Sequence, residues 1–157
     1  MKRHWSQRAF RRWRDQKGAN LVEAAFMTPL LLLLTFGMVD FASLFYVYLA
    51  LENGVTQASR YGVTGSTMGS LTREQSIKTA MRQATPTLTI PDAEFAFSYL
   101  PPGGAVWLTG PGGPNDVSKV TVSHTWTLMT PVVSRFFTNG QITMRVESAM
   151  KNESFTP

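Results

Sequence analysis

At 157 residues the chain has the length of one domain, and without cysteine it has no disulfide framework, thiolate metal site or cysteine nucleophile. Its net charge of +5 is unevenly placed: residues 1–18 carry seven Lys or Arg and one acid, while the other 139 carry eight basic and nine acidic side chains. The basicity is confined to the N-terminus, and the rest of the chain lacks the positive field that nucleic-acid binding requires.

Residues 1–18, MKRHWSQRAFRRWRDQKG, set Trp5, Phe10 and Trp13 among the charges. Lys and Arg beside a membrane span stay on the cytoplasmic side, so the N-terminus is expected inside and everything beyond Leu51 outside. The apolar run that follows is too long for a secretory signal, contains Asp40 and lacks a small-residue cleavage site at its end. Arg11–Arg12 is followed by Trp13-Arg14-Asp15, a poor match to a twin-arginine signal.

Gly18 to Leu51 reads GANLVEAAFMTPLLLLLTFGMVDFASLFYVYLAL. About 20 apolar residues in a helix cover the roughly 30 Å of a bilayer's hydrocarbon core, so this stretch is a candidate membrane span. It holds two acids, Glu23 at the inner edge and Asp40 about 25 Å further along. A carboxylate within hydrocarbon costs about 2.5–3.5 kcal/mol on insertion scales, which makes each a candidate functional group. The alternative for both is solvation, Glu23 at headgroup level and Asp40 at the outer interface. Pro29 deletes one helical hydrogen bond, and the expectation is a bend there, with Gly37 a second weak point.

From Phe41 the pattern changes. Phe41, Leu44, Phe45, Tyr48, Leu51, Val55 and Ala58 recur at helical intervals opposite Glu52, Asn53, Thr56, Gln57 and Arg60. One helix is therefore expected from about Asn20 to Tyr61, leaving the membrane near Tyr46–Leu51 and continuing as an amphipathic spine. A Gly- and Ser/Thr-rich loop follows. A second helix is predicted over about Leu71–Ala84, with Thr72 and Gln75 as a capping box and Pro86 ending it.

After Pro91 the period becomes two. Phe95–Tyr99, Lys119–Leu128 and Ile142–Glu147 each read as a strand with one buried face. A possible short strand at Ala105–Thr109 lies in the Pro/Gly-rich connection, and Val132–Phe137 suits one helical turn. Asp92 and Glu94 are expected in a solvated turn. The predicted fold class is α+β: a long N-terminal transmembrane helix, a second short helix, then a three- or four-stranded antiparallel sheet.

Chemistry is sparse in this chain. His4 and His124 are its two histidines, too few for a zinc site or a Ser-His-Asp constellation from the usual parts. His124 falls on a predicted buried face, and the glycine pairs sit in proline-rich loops rather than before a helix. The residues predict no enzyme, no cofactor, no metal, no nucleic-acid partner and no small-molecule substrate.

Gly18-Ala19-Asn20-Leu21-Val22-Glu23 resembles the processing site of type IV prepilins. The pattern from Gly18 to Gly62 is similar to the TadE-like family of minor pilins in tight-adherence (Flp) pilus systems. The resemblance is carried by Gly18 and Glu23, Pro29 followed by leucines, Asp40-Phe41, and Leu51–Tyr61 with Asn53 and Arg60-Tyr61; the order of strands and Asn152-Glu153 match more loosely. It implies a pilin-like fold and cleavage by a prepilin peptidase between Gly18 and Ala19. That would divide the chain into a basic leader at 1–18, a transmembrane and spine helix at 19–61 and an outer α+β domain at 62–157. It also implies that Glu23 pairs with the new ammonium of Ala19, on the same or a neighbouring subunit, to set register during assembly. The implied setting is the bacterial inner membrane, single-pass, with entry into the pilus. The implied partners are the peptidase, other major and minor pilins and the pilus assembly platform. The alternative is an uncleaved, single-pass envelope scaffold or binding protein of a secretion complex, with the Trp107 loop as its contact.

Overall fold

A computed structural model describes the backbone of residues 5–156 and the side chains of residues 18–156. Met1–His4 of the expected leader lie outside the described residues. The first helix, α1 (Trp5–Val63), begins well before the expected Asn20 and passes through Gly18 and Pro29 as one element. Its 59 residues make it about 89 Å long.

The two ends of α1 meet different surroundings. Apolar side chains from Leu21 to Val39 stand exposed, outside the domain core. Further on, Val47, Leu51, Val55 and Ala58 are buried, with Leu44 packed partly against them. The expected apolar stripe therefore divides. Phe41 and Phe45, assigned to it by their spacing, are 69% and 55% exposed, and Tyr48 is exposed as well. These three lie roughly 90° around the helix from the buried row, at 100° per residue. Both rows have helical spacing, so periodicity does not say which one faces the sheet. The buried row also contains Asp40, four residues before Leu44.

The second helix, α2 (Arg73–Ala84), starts at the predicted capping box: Gln75 N–H donates to Thr72 Oγ1 (3.3 Å) and Thr72 N–H to Gln75 Oε1 (3.0 Å). Leu71 precedes the helix and is exposed. Ile77 and Met81 are buried against α1 where small residues let the backbones approach. A Cβ on Gly54 would stand 2.5 Å from Thr85 Cγ2, and one on Gly62 would stand 3.1 Å from Ile77 Cδ1. Thr85 has little freedom to yield, because it is buried and its hydroxyl donates to Met81 O (2.9 Å).

Strands β1 (Phe95–Leu100), β2 (Leu108–Thr109), β3 (Val117–Thr127) and β4 (Gln141–Lys151) form one antiparallel sheet in the order β2-β1-β3-β4. The short strand expected at 105–109 contracts to two residues, as its Pro/Gly-rich flanks offer few positions for a ladder. On the inner face Val122 pairs with Val146 and His124 with Met144, and Phe97 lies opposite Val120. This face closes over α1 and α2, giving one core of Val47, Leu51, Val55, Ile77, Met81 and the central valines.

The turn before β1 is not simply solvated, as the spacing suggested. Lys78 and Arg82 of α2 both bind the Asp92 carboxylate, and Arg82 also donates to Ile90 O. The same two cations stand over the Phe95 ring, 5.8 and 5.6 Å from its centroid. The Arg82 hydrogen bond, then that of Lys78, holds the Asp92 carboxyl below its usual range. A depressed folded-state pKa contributes stability above the unfolded value and loses it as pH falls through the folded value.

Two outcomes are expected of the detergent-solubilised chain. Gly54→Val should lower stability by about 1–3 kcal/mol through overpacking against Thr85, seen as a lower melting temperature, whereas an unchanged melt would mean that α1 and α2 do not approach there. Asp92→Asn should flatten the acid limb of the stability profile below about pH 3.9. An acid limb identical to that of the wild type would show that the Arg82 and Lys78 contacts contribute nothing.

Candidate functional site

Among the described residues, the part of α1 from Gly18 to Val63 is the one segment long and apolar enough to cross a membrane. From Leu21 to Val39, before the first buried residue, the large apolar side chains are exposed over about 28 Å, close to a hydrocarbon core, and Phe41, Phe45, Tyr46 and Leu49 continue the exposed surface. The sequence-predicted site residues at the inner end are all exposed: Gly18, Ala19, Glu23 and Pro29. Gly18 and Ala19 lie within the continuous α1 rather than at its start. Ala19 is four residues before Glu23, so the two share a helix face one turn apart. Pro29 also shows its ring outward, and its missing N–H leaves the carbonyl of Ala25 without its usual helical donor.

Asp40 is placed differently. It is 2% exposed, covered by the chain's own loop between β3 and β4. Oδ1 accepts from Met129 N–H (2.9 Å) and Thr130 N–H (3.3 Å), and Oδ2 accepts from Thr130 N–H (3.2 Å). The origin of these donors is local. The β3 ladder ends at Thr127, and Leu128 N–H still reaches Gly140 O (3.0 Å). Met129 and Thr130 then turn into the short helix α3 (Pro131–Ser134), where Thr130 is the cap residue. Two backbone N–H groups are thereby left at a chain reversal, and the helix carboxylate answers both. Each side removes the other's burial cost. The sequence marked Asp40 as an acid at the outer edge of the span, but its partners are 89 and 90 residues away and made no local signal.

Three further arrangements escaped the sequence. His124 Nδ1 lies 2.7 Å from Glu94 Oε2, so Glu94 serves a partly buried pair at the sheet's inner face instead of a solvated turn. Among the described residues no three of His, Asp and Glu gather as a metal-binding group would. Arg73, at the start of α2, donates to Gly62 O (2.7 Å) and Gly112 O and stacks over Phe155, 4.7 Å from the ring centroid. Burial lowers the Arg73 pKa from its ordinary value, with Asp116 opposing the shift. Around it, Asn152 Nδ2 donates to Gly113 O (2.7 Å), Gly113 N–H to Asp116 Oδ2 (2.6 Å) and Glu153 N–H to Val63 O (3.0 Å). These bonds tie the C-terminal tail to the far end of α1. Trp107 is 41% exposed and lies beneath Lys119 Nζ, 4.3 Å from its ring.

Removing the carboxylate tests the Asp40 bridge. Asp40→Ala should cost about 2–3 kcal/mol and speed hydrogen exchange at the Met129 and Thr130 amides, while Asp40→Asn, which keeps one acceptor, should fall between. Unchanged protection of those amides in Asp40→Ala would show that the carboxylate does not hold the loop.

Residues 18–60 match the family described as TadE-like protein. No curated protein and no solved structure matches the chain. The match begins at Gly18, runs through Glu23, Pro29 and Asp40, and stops at Arg60, before α2 and the sheet. Over residues 18–60, the helix that carries the apolar stretch and Asp40, the chain is similar to the TadE-like family.

Proposed function

We propose that the chain is a minor pilin or pseudopilin of a tight-adherence type IV pilus. In this reading it sits in the bacterial inner membrane with the basic N-terminus in the cytoplasm and the sheet domain outside. A prepilin peptidase cuts between Gly18 and Ala19. The observation that carries the proposal is the TadE-like match, which falls on a helix whose first half leaves its apolar side chains outside the domain core. Such a surface can be covered by lipid before assembly and by the helices of other pilins after it.

Glu23 has a defined task in this scheme. Cleavage creates an ammonium at Ala19, one turn away on the same helix face, and a carboxylate and an ammonium in a low-dielectric bundle relieve each other's burial. Across neighbouring subunits that pairing favours one register. Pro29, six residues further on, supplies a point where the helix can bend as the subunit passes from the membrane and the assembly platform into the filament. The runner-up is an uncleaved envelope scaffold of a secretion complex. It draws support from the helix running unbroken from Trp5 through Gly18, which leaves no loop at the cut site.

The N-terminal sequence of the protein from wild-type membranes separates the two. Ala-Asn-Leu-Val-Glu is expected, and an intact Met1 would favour the scaffold. Glu23→Ala should leave the membrane level unchanged and reduce incorporation into sheared pili severalfold; normal incorporation would remove the register role.

A further inference from the structure

We propose that Met129–Phe137 is a second membrane contact, an apolar foot that enters the lipid headgroup and acyl boundary beside the helix. The inference rests on reading α1 as a membrane span. Its first support is composition and exposure. Met129, Val132, Phe136 and Phe137 are all exposed, Met129 to 68% and Phe136 to 76%, so four large apolar side chains within nine residues point away from the core. The one charged residue between Met129 and Gly140 is Arg135, also exposed. A cation among aromatic and aliphatic side chains, with no acid nearby in sequence, suits a phosphate-bearing surface.

The second support is position. Asp40 is the first buried residue of α1 among those described, with Phe41, Phe45 and Leu49 still exposed away from it, and it holds Met129 and Thr130 by their backbone N–H groups. Ser43, one turn beyond Asp40, meets Met129 Sδ at 3.8 Å, and α3 packs on α1. The loop is thus fixed beside the exposed apolar surface of α1, at the height where the domain begins to cover the helix. The third support is the loop's own bonding. Ser134 N–H reaches Thr130 O (2.9 Å), Phe136 N–H reaches Val133 O (3.0 Å), Phe137 N–H reaches Ser134 O (3.1 Å) and Gly140 N–H reaches Phe137 O (3.0 Å). Amides bonded within the segment lower the cost of its entry into an apolar boundary. With the foot in lipid, the outer domain is held at two points and cannot turn freely about α1.

The absence of cysteine allows a direct test with single-cysteine variants of the full chain carrying an environment-sensitive fluorophore. Leu31→Cys reports the span, Phe136→Cys the foot and Thr67→Cys the far end of α1. Each is reconstituted in phosphatidylethanolamine–phosphatidylglycerol vesicles, on average one chain per vesicle, with spin-labelled lipids quenching at shallow or deep positions. The expected result is loss of emission at Phe136 with the shallow quencher, loss at Leu31 with the deep one, and none at Thr67. Quenching at Leu31 with Phe136 behaving like Thr67 would overturn the foot and leave the span intact, pointing instead to a neighbouring subunit as the cover for this loop. No quenching at either Leu31 or Phe136 would overturn both.

Discussion

The pair of amides that Met129 and Thr130 present to Asp40 is the contact on which the relation between the exposed apolar half of α1 and the sheet domain depends. A carboxylate at the end of an apolar helix and two N–H groups at a strand end are each costly when buried alone. Together they become a fixed joint. The joint falls where one face of α1 begins to be covered by the domain, while Phe41, Phe45 and Leu49 stay exposed away from it.

Above that joint, α1 is no longer an anchor but the central element of a soluble-type core. Its buried row of Asp40, Leu44, Val47, Leu51, Val55 and Ala58 lies under the sheet, and Gly54 and Gly62 admit α2 at close range. One continuous helix therefore belongs to two environments, and no flexible linker separates them.

The opposite end is secured by polar bonds instead of a disulfide. Arg73, Asn152 and Asp116 gather the carbonyls and amides of Gly62, Gly112 and Gly113, and Glu153 N–H donates to Val63 O, joining the end of α1, the loop before β3 and the tail after β4. Phe155 covers Arg73 and packs against Gly65, where φ is +69° and a Cβ would meet the ring within 2.3 Å. In a chain without cysteine, a network of this kind restrains the C-terminal tail, although Arg73 Nε and Asn152 Oδ1 within it are buried without a partner.

Elements that depend on neighbours in the chain were legible from the residues alone. The span follows from unbroken apolar length, α2 from Thr72 and Gln75, and β1, β3 and β4 from strict alternation, because each signal lies within a few residues of the structure it makes. Gly18, Glu23 and Pro29 were singled out by local pattern, and they lie within the stretch of the TadE-like match. What local pattern left open was direction and partnership. Phe41 and Phe45 have the same spacing as Val47 and Leu51, yet a rotation of roughly 90° decides which row meets the sheet. Asp40 with Thr130, Glu94 with His124 and Arg73 with Gly112 are pairs 30 to 90 residues apart, brought together when the sheet closes over α1. A side chain's chemistry is written at its own position, but its partner is chosen by the packing of distant segments, and that choice exists only in the folded chain.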